Sequence, residues 1–104
     1  MTIKSIGDKA VLLLGYENAL YEDELTGRYL LFYNMIAGDL GLNYAEDITD
    51  EPELTNPQYS AVLCGMAMNI ANSLHDKILS QLYTDTYNSK RSVLLCRGEN
   101  IKEV

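Results

Sequence analysis

Between residues 57 and 74 the apolar side chains fall at Tyr59, Val62, Leu63, Met66, Ala67, Ile70, Ala71 and Leu74. Steps of three and four put them all on one side of an α-helix; a strand, with its period of two, gives no such series. A helix with one long apolar stripe must bury it, so the rest of the chain has to supply matching faces. Ala67 and Ala71 within the stripe, with Ala61 and Gly65 beside it, let neighbouring helix axes approach closely. This segment is therefore expected to be the most buried. Asn56-Pro57 marks its start: Asn is a strong N-cap, and Pro at the first helical position lacks an N–H that would go unpaired anyway.

Three other segments have the helical period. In residues 2–14, Ile3, Ile6, Ala10, Leu13 and Leu14 share a face, Thr2 or Ser5 is placed to cap the start, and Gly15 to stop the end. Gly7 inside that helix costs roughly 1 kcal/mol relative to Ala and leaves its start uncertain. Residues 23–40 place Leu25, Tyr29, Phe32, Tyr33, Ile36, Ala37 and Leu40 on a wide stripe. Leu30, Leu31 and Met35 fall outside it, so this helix is apolar over most of its girth and is either central or covered by a partner. Glu22, Asp23 and Glu24 suit the positive end of its dipole, and Gly41 its stop. Residues 77–92 form the fourth helix, capped by Asp76, with Ile78, Leu79, Leu82, Tyr83, Thr86 and Tyr87 on its apolar side. Residues 42–55 are irregular and acidic, long for a connection. After Ser92 the run Val93 to Cys96 is apolar and β-compatible, bracketed by Lys90, Arg91 and Arg97. The expected fold is all-α: a bundle of about four helices over residues 1–92, a long acidic loop between the second and third, and an extended tail over 93–104.

Little in the chain points to chemistry. A nucleophilic site needs a nucleophile, a base and a group to orient it. The one histidine, His75, sits at a helix junction about three turns from Cys64, which reads as a capping or surface position. The two cysteines, Cys64 and Cys96, fit neither a disulfide framework nor a zinc site, and suggest a reducing compartment. The acids at 22–24 and 47–53 read as solvated clusters, with no burial to separate their pKa values. Residues 47–58 lack the central Gly and final Glu of a calcium loop. Nucleotide-binding glycine motifs are absent. No enzyme activity, cofactor or metal is expected. Fifteen acids against eight bases give a formal charge of −7, which repels nucleic-acid backbones and anionic membrane surfaces. No stretch is long and apolar enough to span a membrane, and the first residues do not read as a signal peptide.

What remains points to protein contacts. Eight tyrosines stand beside one Phe and no Trp. Tyr is enriched at interfaces, although several such rings would serve equally to seal the edges of a core. The charge-rimmed apolar run near the end is the other candidate: it would either fold back or dock. The expected partner-binding residues are Lys90, Arg91, Val93, Leu94, Leu95 and Arg97, with Tyr87, Leu30 and Leu31.

The layout resembles the head-tail adaptor proteins of tailed bacteriophages, also called connector or head-completion proteins; the tail accessory factors of short-tailed phages are similar. The likeness covers roughly residues 1–92. It lies in the opening Ile3-Lys4-Ser5-Ile6-Gly7-Asp8 before a short helix, and in an amphipathic second helix followed by an acidic loop. It is greatest in the Ala-Val-Leu-Cys-Gly-Met-Ala-Met-Asn-Ile-Ala series of residues 61–71, and continues through residues 82–91, which end in Tyr87-x-x-x-Arg91. The resemblance implies a structural protein that forms a homo-oligomeric ring on the portal vertex and joins head to tail, in the virion or in the host cytoplasm during assembly. Its partners would be itself, the portal and tail proteins. DNA would pass nearby without specific binding, and no membrane or small molecule would be involved. The alternative reading is a small acidic helical regulatory or antitoxin-like module.

Overall fold

The computed structural model describes residues 1–18 and 23–96. Among them are four long helices, one short helix and no strand: α1 (Ile3–Leu14), α2 (Asp23–Gly27), α3 (Tyr29–Leu40), α4 (Asn56–Ser73) and α5 (Lys77–Cys96). The expected all-α bundle is present. α4 is its axis, packed against α1, α3 and α5.

The first four N–H groups of a helix have no partner within it. In α1 those of Ile3, Lys4 and Ser5 each find one, and the Ile6 N–H makes the first bond of the ladder. Ile3 and Lys4 donate to the carbonyls of Asp50 and Ile48 at 3.0 and 2.9 Å. Ser5 donates to Thr2 Oγ1 at 3.1 Å, and Ile6 to the Thr2 carbonyl at 3.0 Å. The acidic stretch 42–55 is thus tied to the start of α1. Its other arm is held by Asn34, which exchanges two hydrogen bonds with the Ala45 backbone at 2.8 and 3.0 Å. Gly15 and Gly41 close α1 and α3 at φ 83° and 74°, left-handed conformations that glycine adopts without steric cost.

Four expectations need correction. Residues 23–40 are not one helix: α2 ends at Gly27, Arg28 intervenes, and α3 begins at Tyr29. Thr26 and Gly27 are weak helix formers in succession, and the ladder lapses there. The N-cap of α4 is Thr55, not Asn56. Thr55 and Gln58 form a reciprocal capping box, leaving Asn56 and Pro57 inside the first turn. The fourth long helix does not stop near Ser92. α5 runs through Val93, Leu94 and Leu95 to Cys96, because Leu94, 1 % exposed, continues the buried line of Leu79, Tyr83 and Tyr87. Finally, Leu13 of α1 and Ile78 and Leu82 of α5, assigned to inner sides, are 48 %, 83 % and 54 % exposed. Residues 97–104 lie outside the described residues.

α4 is the most buried helix, as its small residues imply, and Gly65 is the reason its neighbours come so close. A Cβ there would stand 2.6 Å from Ile36 Cδ1 and 3.1 Å from Tyr87 Cδ1, so α3 and α5 both press onto this position. Gly7 serves the same end on α1, where a Cβ would lie 2.5 Å from the Tyr29 ring. Its helix-propensity cost is thus offset by packing a fully buried tyrosine ring against bare backbone.

Candidate functional site

The docking residues expected near the end of the chain divide on inspection. Tyr87 is 4 % exposed and Leu94 is in the core, so neither side chain is free to meet a partner. The Tyr87 hydroxyl donates to Asp39 Oδ2, and Arg91 Nε stands 2.7 Å from the same oxygen. Arg91 therefore braces α5 against α3. Lys90 and Leu95 are half-buried, and Val93 is 50 % exposed. Lys90, Val93 and Leu94 line a shallow hollow of about 310 Å³ with Pro57 and Ser60 of α4. Leu30 and Leu31 sit on α3 instead; Leu30 is half-buried and Leu31 exposed. Arg97 lies outside the described residues.

Tyr87–Asp39 is one of three cross-links of a kind among the described residues. Tyr29 of α3 donates to Asp8 of α1 at 3.0 Å, while Lys4 pairs with the other Asp8 oxygen at 2.8 Å. Tyr16, just after α1, donates to Asp76, whose second oxygen caps α5 by accepting from the Leu79 N–H at 3.0 Å. Burial, then the aspartate bond, pushes the Tyr29 and Tyr87 phenols well above their usual range. The bond to Asp76 raises Tyr16 and, reciprocally, holds the Asp76 carboxyl below its usual value. These bonds fix helix positions and set up no proton transfer to a third group.

Among the described residues, no cluster of three or more His, Cys, Asp or Glu side chains could hold a metal ion. Cys64 is buried, and burial raises its thiol against the opposing pull of Lys90. His75 is exposed, in the left-handed region at φ 61°, turning the chain from α4 into α5. No described helix is long and apolar enough to cross a membrane.

Two features go beyond the sequence reading. One is a set of uncovered apolar pairs, each side chain between 48 % and 83 % exposed: Leu31 and Met35 on α3 are as expected outside its stripe, but Leu12 and Leu13 on α1 and Ile78 and Leu82 on α5 are not anticipated. The other is a half-open cavity of about 570 Å³ beside the 42–55 stretch, lined mostly by a segment that helical periodicity does not address. No protein-family model, no curated protein and no solved structure matches the chain.

Proposed function

We propose that the chain is a structural assembly subunit of the head-tail adaptor kind, whose copies ring a portal vertex and join head to tail. The uncovered apolar pairs on α1, α3 and α5 carry this reading. Single exposed apolar residues are ordinary, but paired ones on three separate helices leave faces that assembly would cover. The −7 charge suits a wall past which DNA moves, because the excess of acids over bases repels phosphates. The shared Tyr87-x-x-x-Arg91 ending gains a physical role in this reading: both side chains lock α5 onto Asp39, presenting the outer face of α5 at a fixed angle.

The test is native mass measurement of the chain alone and with purified portal, followed by imaging of the complex. A ring of copies on the portal is the expected result. A chain that never binds portal would sink the proposal, and recovery with a basic toxin or a transcription factor would favour the regulatory alternative.

A further inference from the structure

The cavity beside the 42–55 stretch has a consistent chemistry. Tyr33, Tyr44 and Leu54 give it aromatic and apolar walls, and Asp50, Glu51 and Glu53 give it charge; no Lys, Arg or His is among its described lining residues. Two of the carboxylates have work already: Asp50 accepts from the N–H groups of Glu46 and Asp47, and Glu51 pairs with the Met1 amino group at 3.2 Å. Glu53 is exposed, with no ion-pair partner among the described residues.

Acidic residues alone would mean little. Tyr33 adds an independent sign. It is 1 % exposed, yet its hydroxyl makes no hydrogen bond among the described residues, and burial alone raises its phenol. The hydroxyl is not one of the sealed, unpaired polar atoms, such as the Tyr59 hydroxyl, so it opens to solvent. Here the unpaired hydroxyl belongs to a residue that lines the cavity, where its oxygen is available to a donor. Tyr44 is 71 % exposed and backed by Gly38, where a Cβ would meet the Tyr44 hydroxyl at 3.1 Å, so its ring is a placed surface able to stack on a cation. The Asn34–Ala45 exchange and the bonds from Ile3 and Lys4 hold both arms of the stretch. Little ordering is left for a ligand to impose.

We propose that this cavity receives an arginine or lysine side chain from another protein. Its alkyl stem lies along Tyr44 and Leu54, and its cationic head donates to the Tyr33 hydroxyl and faces Glu53. The inference stands on the cavity and does not require the assembly reading.

Amide NMR titration of the full chain tests it, with three probes: a capped Gly-Arg-Gly peptide, its citrulline counterpart, and propylguanidine. The arginine peptide should give saturable shifts confined to residues 33, 42–45 and 50–58, and the neutral citrulline peptide should bind about tenfold more weakly or worse. Glu53→Gln should weaken the arginine peptide about threefold, as expected for one exposed charge. Tyr33→Phe should weaken it too without lowering Tm, a combination that a purely structural hydroxyl would not produce. Dispersed shifts, equal binding of the citrulline peptide, or an unchanged Glu53→Gln titration would each overturn the proposal. Propylguanidine binding more tightly than the peptide would also overturn it, assigning the cavity to free small cations.

Discussion

Tyr87 and Asp39 are 48 residues apart in the chain, yet the hydroxyl of one donates to the carboxylate of the other, and Arg91 closes on the same oxygen. One aspartate on α3 therefore anchors two successive turns of α5. Tyr87→Phe keeps the ring and removes the bond, so it should cost about 1–2 kcal/mol. Asp39→Ala should cost more, about 2–3 kcal/mol, because it leaves a buried phenol without its acceptor. Urea denaturation of both variants and the double variant gives the coupling. Costs that simply add would show that the contact contributes nothing.

Gly65 predicts a coupling of the same sign from a different cause, crowding relieved instead of a bond already lost. Gly65→Ala gains up to about 1 kcal/mol of helix propensity but drives a Cβ into Ile36. Overpacking a filled core costs about 1–3 kcal/mol, so net destabilisation is expected. Ile36→Val removes the Cδ1 that the new Cβ meets at 2.6 Å. In that background Gly65→Ala should cost less, and a thermal melt of the four proteins checks it. An undiminished cost would place the strain elsewhere.

Alkaline pH should loosen the fold. Tyr16, Tyr29, Tyr33 and Tyr87 all have raised phenols, so the folded state favours the neutral form more than the unfolded chain does. Their contribution is fully present below the unfolded tyrosine pKa of about 10 and is lost as pH rises from there through the folded values. The urea midpoint should fall steeply above about pH 10, with tyrosinate absorbance rising alongside loss of helix. Complete tyrosine ionisation with the helices intact would contradict this.

The helices were legible because periodicity and caps are local. Gly15 and Gly41 stop their helices as expected, and Asp76 caps α5. Local reading failed where a distant contact decided. Leu94 is helical because the bundle buries it, although its neighbours Val93 and Cys96 read as strand-compatible. Ile78 and Leu82 share an angle with Leu79 and Tyr83 closely enough that only the placement of α4 shows which are covered. The Tyr–Asp bonds span 21, 48 and 60 residues and leave no periodic trace. The α4 cap lay one residue from its assignment: Asn56 is the stronger N-cap by type, but Thr55 has Gln58 three residues on. Thr55→Ala should therefore destabilise by about 1 kcal/mol, and Asn56→Ala by far less, in parallel denaturation curves. The reverse order would restore Asn56 as the cap.

The uncovered apolar pairs separate assembly from folding. Leu31 is 59 % and Ile78 is 83 % exposed, so Leu31→Ser and Ile78→Ser remove little that the isolated bundle buries. Substitutions at such positions usually change stability within about 0.5 kcal/mol. If these faces meet other subunits or the portal, the same changes should weaken that association by at least about tenfold, since a buried Leu or Ile contributes about 1.5–3 kcal/mol. Melting temperature and portal binding are then measured on the same preparations. Loss of binding with an unchanged melt supports the assembly role. Unchanged binding in the Leu31→Ser, Ile78→Ser double variant would remove those faces of α3 and α5 from the interface and leave only Leu12 and Leu13 of α1 to carry the proposed function.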